Sequence, residues 1–373
     1  APFGARGLNS GVPDAENAAR KVAFAMHGWA DPSLVATYHD VLNGDEASAE
    51  QKEAAVHAFS AALAQTSAEG RATELRWLFQ WRIDRADESA KRELLLAWAL
   101  AEESVVGDTR AALGVAIRLS DLDPENPEAF AAVYRLSLLV DDIDRATRAM
   151  ARRLELSEGE GKKSLELELA RLLVERTSRA EEALASISQV LDSSPSEPEA
   201  LLLAHRLLSV EGVRADAIQV LERAFESEND ARGKASILET LIDGAKTSNA
   251  ATRLGWYREL LRVSKLQGDP RGARKSALAG ASEFASEVWL WEEAEELSRE
   301  LQDPEPIAKL YTTILASPLA KDVALELGQR AVAFFEEWFE EPGRVIDVLT
   351  RMLDIEPADT WAFDRLKLKY DTS

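Results

Sequence analysis

The feature that most constrains this 373-residue chain is a repeat. Slid against itself by 71 positions, the stretch from Leu94 to Glu226 matches without a gap. Pro124-x-x-Pro127-Glu128-Ala129 falls on Pro195-x-x-Pro198-Glu199-Ala200. Leu94 falls on Leu165, Ala99 on Ala170, Ala112-Leu113 on Ala183-Leu184, Arg135-Leu136 on Arg206-Leu207, and Ala146 on Ala217. A fixed period over two full copies is the signature of a repeat array, in which each unit buries its apolar face only against the next.

Apolar spacing within the unit is helical. Leu94, Leu95, Trp98, Leu100 and Ala101 form one stripe, and Leu113, Ile117 and Leu119 a second, at i, i+3 and i+4 separations. Breakers intervene at Gly107-Asp108 and at Asp123-Pro124-Glu125-Asn126-Pro127. Phe130, Val133, Tyr134 and Leu138 define a third helix; Asp141-Asp142 ends it, and Ala146, Met150 and Leu154 lie on a fourth. One unit thus holds four short helices, or two hairpins of about 34–36 residues. Alanine at 112, 146, 183 and 217 lets antiparallel helices approach closely while larger neighbours interlock.

These hairpins resemble tetratricopeptide (TPR) repeats. Counted from Pro127, Phe130 stands at the aromatic fourth position and Ala146 at the small twentieth; Leu201 and Ala217 stand there counted from Pro198. Pro124, Pro195 and Pro357 resemble the proline that closes a repeat. The pattern departs from the family at position eight, where glycine is replaced by Tyr134 and His205, and at position twenty-seven, where Arg153 and Ala224 stand. Val332 to Phe339 and Asp359 to Leu368 resemble the large multi-repeat TPR proteins of myxobacteria and related bacteria. The resemblance implies an all-α fold, an α-α superhelix of roughly ten antiparallel hairpins. By the same resemblance, Ser373 falls where a further helix is expected, as though the array were cut.

The expected organisation is a glycine- and proline-bearing leader over 1–13, a helical region of divergent repeats or a cap over 14–87, and the regular array over 88–228. Irregular repeats with an insertion follow over 229–321, and a last TPR-like unit over 322–373. The insertion follows from counting. Arg351 to Pro357 repeats Arg118 to Pro124 at an offset of 233, twenty residues more than three units. About one extra helix therefore belongs between Asn229 and Asp322.

Composition narrows the function. With 66 acidic against 44 basic residues the formal charge is −22, which disfavours nucleic acid or an anionic membrane surface as the main partner. There is no cysteine, hence no disulfide frame or thiolate metal site. No apolar run approaches the roughly 20 residues that span a bilayer. The cytoplasm is the expected compartment, with the periplasm as alternative.

Enzyme motifs are wanting. Gly159-Glu160-Gly161-Lys162-Lys163-Ser164 lacks the spacing and preceding strand of a phosphate loop and reads as a turn. His27, His39, His57 and His205 form no HExxH-type pair, and His205 reads as a core residue. Acidic runs at Glu292-Glu293, Glu295-Glu296 and Glu336-Glu337 read as solvated faces, since acid–base work needs a pocket. Trp77 and Trp81, one turn apart, read as packing between hairpins.

The sequence therefore points to a non-enzymatic scaffold with no cofactor and no metal. It is expected to bind a protein or peptide along a concave groove. The alternative is a spacer of a larger bacterial protein that self-associates through open ends. Arg135 and Arg206 are the candidate peptide-binding residues. They share position nine of their hairpins, on the helix that lines the groove in the family the chain resembles, and a guanidinium fork takes a carboxylate in two bonds. The competing reading is a salt bridge to a neighbouring repeat, with Glu128 or Glu199 as partners.

Overall fold

The computed structural model of the protein describes residues 72–340 and 342–372. The expectations for 1–13, and for the histidines at 27, 39 and 57, lie outside the described residues. The chain divides into two compact units, Ala1–Leu165 and Glu166–Ser373. Among the described residues every regular element is a helix.

In the first unit α1 spans Ala72–Arg85, α2 Glu88–Ala101, α3 Thr109–Leu122, α4 Pro127–Leu139 and α5 Ile143–Glu155. α6, Glu160–Arg176, leads into the second unit. There α7 spans Ala180–Ser193, α8 Pro198–Leu207, α9 Arg214–Ser227, α10 Ala231–Gly244, α11 Ala250–Leu266 and α12 Pro270–Glu283. α13 spans Val288–Glu300, α14 Glu305–Leu315, α15 Lys321–Trp338, α16 Pro342–Ile355 and α17 Thr360–Thr372. From α1 to α5, and again from α7 to α17, helices adjacent in sequence pack on one another, as short connections between antiparallel helices require.

Local chemistry fixes the helix ends. Pro127 and Pro198 occupy the first helical turn of α4 and α8, where the missing N–H costs nothing. Asn126 accepts from the N–H groups of Glu128 and Ala129, and Asp142 from that of Arg145. These side chains satisfy donors that a helix start leaves without partners. The alanines that set helix approach, Ala112, Ala146, Ala183 and Ala217, are all fully buried.

Two details correct the apolar pattern. Leu100 is 54% exposed, so the buried part of the α2 stripe is Leu95, Trp98 and Ala99, with Leu94 and Ala101 packed partly buried beside it. Past Ala101 the helix widens into a π-turn, Glu102–Val106, and closes on Gly107 at φ 76°, a left-handed value that suits glycine. Glu102, wholly buried, takes two bonds from Arg76 and one from the Trp98 indole. Its charge is matched by Arg76 from α1, as burial demands.

Helix order locates the irregularity. α16 begins 233 residues after α3 and thirteen helices later, whereas three four-helix units account for twelve. Gly268 at φ 66° followed by Asp269 opens α12 as Gly107 and Asp108 open α3, each aspartate accepting from the N–H three residues on. α12 is therefore a second helix of a hairpin, as α3 and α9 are. Between α9 and α12 one first helix is due and two are present, α10 and α11. First helices are thus even-numbered at α4 and α8 but odd-numbered at α17, where Ala362-Phe363 repeats Ala129-Phe130.

Candidate functional site

The irregular segment builds a groove. α8 and α10 flank it, α12 forms the far wall, and Tyr257 and Leu260 of α11 form the floor. Its volume is about 640 Å³, within the range of small-ligand and peptide side-chain pockets. In an alternating array first helices face one side and second helices the other. Here α8, a first helix, and α12, a second helix, share one groove. The extra helix makes that meeting possible.

The lining is mixed. Pro198, Leu201, Leu202, Tyr257 and Leu260 give an apolar surface, with Leu202 55% exposed although it lies mid-helix. Ser236 and Thr240 add hydroxyls, Glu239 and Asp243 acid, and Lys275 one cation from α12. His205 is in this wall and not in the core. Its Nε2 lies 3.0 Å from Asp243 Oδ2, and its side chain is 38% exposed. The misreading arose because position eight is packed in the first copy, where Tyr134 is buried. The i, i+4 spacing of Glu239 and Asp243 was readable in the sequence. That their face is open was not.

Arg135 and Arg206 are each half exposed. Arg135 forms a two-bond fork with Glu103, Nη2 donating to Oε2 at 2.6 Å. Arg206 Nη1 donates to Glu175 Oε1 at 2.6 Å. The partners are not Glu128 and Glu199; Glu199 instead takes Arg171. Each arginine reaches back to the first helix of the preceding hairpin, 32 residues away in one case and 31 in the other. At the 71-residue offset Glu103 falls on Val174 and Glu175 on Ser104, so the two acids stand one position apart in the unit.

The acidic runs carry ion pairs. Glu337 takes Arg299, and Glu336 takes Arg365 and Lys369. Glu295, nearly buried, accepts from the Tyr311 hydroxyl at 2.5 Å and faces Arg330 at 3.1 Å. Trp77 and Trp81 stack at 6.4 Å against the core of the first unit. Gly159, at φ 69°, is a turn before α6. Among the described residues no group of three or more His, Asp and Glu is gathered as a metal site, and no helix is long and apolar enough to cross a membrane.

Inter-hairpin pairing predicts an acid limit. The Arg135 guanidinium holds the Glu103 carboxyl below its usual 4.5, and Arg299 does the same for Glu337. The Ala111 N–H and Arg76 hold Asp108 below its usual 3.8. A depressed folded pKa stabilises above the unfolded value and ceases to do so as pH falls through the folded one. Melting temperature is therefore expected to be flat from neutral pH to about 4.5 and to fall steadily below it. Melts at pH 7, 4.5 and 3 followed by circular dichroism check this; an unchanged midpoint at pH 3 contradicts it.

The sequence pattern of an FAD binding domain matches residues 1–44, which lie outside the described residues. A dinucleotide fold grips phosphate at a strand-to-helix glycine turn. Residues 72–340 and 342–372 hold no strand and so provide no such cradle. Among solved structures, the chain is similar to a tetratricopeptide repeat protein from Parabacteroides merdae. That protein is 15% identical over 75% of this chain and 98% of its own, with a TM-score of 0.28. The C-terminal part of a TPR repeat-containing protein from Cytophaga hutchinsonii is 11% identical over 72% and 98%, at 0.22. A STAND signal transduction ATPase with a tetratricopeptide repeat sensor, from Pyrococcus horikoshii, is 13% identical over 87% and 53%, at 0.31. At these values the likenesses lend nothing to a functional reading. The helices themselves carry the assignment: the described chain is an all-α, TPR-like helical-repeat fold.

Proposed function

We propose that the protein is a non-enzymatic interaction scaffold that seats a protein or peptide segment in a groove between its helices. The observation that carries this reading is the groove of α8, α10, α11 and α12, with Leu202 exposed above an apolar floor. A preformed site on rigid helices spares a ligand the cost of ordering its receptor. Exposed aliphatic surface beside hydroxyls and charges suits an extended or helical peptide. Arg135 and Arg206 belong to the reading as exposed cations on first helices, and a ligand carboxylate there must compete with Glu103 or Glu175.

Selection of displayed random peptides against the full chain tests it. Recovered peptides are expected to protect α8 and α10 from hydrogen exchange and to lose about tenfold in affinity on Leu202→Asp. Peptides that bind but protect neither helix, or no recovered binder, would overturn the groove. The second reading, self-association, draws on α17, where Phe363 and Tyr370 are 57% and 63% exposed and seven residues apart. It is favoured instead if the chain sediments as a dimer that Phe363→Asp/Tyr370→Asp dissociates.

A further inference from the structure

The groove is electrically asymmetric. Glu239 and Asp243 stand one turn apart on α10, and Lys275 faces them from α12. Asp243 is engaged by His205 and, at 3.8 Å, by Lys246. Among the described residues the side chains of Glu239 and Lys275 enter no ion pair or hydrogen bond. Two carboxylates at i, i+4 repel each other along a helix. Several acids elsewhere on first helices answer an arginine or lysine of another helix, as Glu103, Glu175, Glu293 and Glu337 do. At Glu239 that answer is missing on the wall of a cavity.

We propose that the ligand of this groove is a peptide segment in which an arginine or lysine is flanked by aliphatic residues. The cation is read by Glu239 and Asp243 and the aliphatic side chain by Leu202, Tyr257 and Leu260. This deepens the scaffold reading and rests on it. Carboxylates one turn apart are about 5–6 Å from each other at Cβ, a spacing that one guanidinium fork can bridge with charge-assisted bonds. The apolar floor lies beside them, so the stem of the same residue and its neighbour shed water as the charge docks. Lys275 repels a cation at the opposite wall, which fixes the end of the groove the basic residue occupies. The acid pair also suits a chain whose overall charge of −22 draws cationic segments and repels anionic ones.

Two displayed libraries of short random peptides test the proposal. They are matched in length and aliphatic content; one carries Lys and Arg as its only charged residues, the other Asp and Glu. Enrichment is expected from the cationic library alone. Glu239→Gln/Asp243→Asn is expected to weaken the recovered peptides about tenfold, and Lys275→Glu to tighten them. The second effect has the opposite sign, so a poorly folded variant cannot mimic it. Equal or preferred recovery from the acidic library, or cationic binders indifferent to all three positions, overturns the proposal. If those binders still depend on Leu202, the scaffold reading survives without it. If neither library yields a Leu202-dependent binder, both fall.

Discussion

Glu283→Ala is expected to destabilise the Glu166–Ser373 unit by about 3 kcal/mol. The reason is Arg253, whose side chain is 4% exposed. Glu283 grips it in two bonds, while Arg253 Nη1 donates to the carbonyls of Ile242 and Ala245 at 2.9 Å. The Tyr257 hydroxyl also donates to Glu283, at 3.0 Å. Burial and the adjoining carboxylate push that hydroxyl well above the ordinary tyrosine range, so it stays a donor. Removing the carboxylate strands a buried cation and orphans the phenol. Glu283 itself is 33% exposed, and water reaching the vacated place keeps the loss at the low end of the buried-pair range. Urea unfolding followed by tryptophan fluorescence measures the change, and a loss below about 1 kcal/mol contradicts it. Glu283→Leu/Arg253→Met, which removes both charges, is expected to recover much of the loss.

Trp291→Ala is expected to cost about 3–5 kcal/mol. Trp291 and Tyr311 are wholly buried, their rings stacked 4.6 Å apart, with Phe334 and Phe335 around them. The indole N–H donates to the Ala285 carbonyl at 3.0 Å. Truncation removes the largest side chain of this core, opens a cavity and leaves that carbonyl without its partner. Leu202→Ala is the contrast: at 55% exposure it is expected to change stability by no more than about 0.5 kcal/mol. Equal losses at the two positions would contradict the core described above.

Much of the fold was legible because it is written twice. Pro127 and Pro198 mark helix starts by ring chemistry, and Ala146 and Ala217 mark helix contacts by size; both signals are local and recur at one offset. Leu100 was misread because apolar spacing alone does not show where a stripe ends. The second copy held the correction, since Arg171 occupies the same place. The partners of Arg135 and Arg206 were not legible, because they depend on how two hairpins stack and differ by one position between the copies. The groove was least legible of all. Its walls come from four helices, and it opens where the repeat fails. Periodicity finds what recurs, and this site occurs at an interruption.

The inter-hairpin pairs described above have a consequence for how the chain comes into being. Arg135–Glu103, Arg206–Glu175, Arg253–Glu283 and Arg299–Glu337 join residues between 30 and 38 positions apart. Each bond therefore closes as soon as one more hairpin has emerged, without waiting for a distant strand to arrive. Contacts this local make for fast ordering, and they suit a polypeptide that acquires structure in the direction of its synthesis. Each hairpin in turn becomes the template that covers the next.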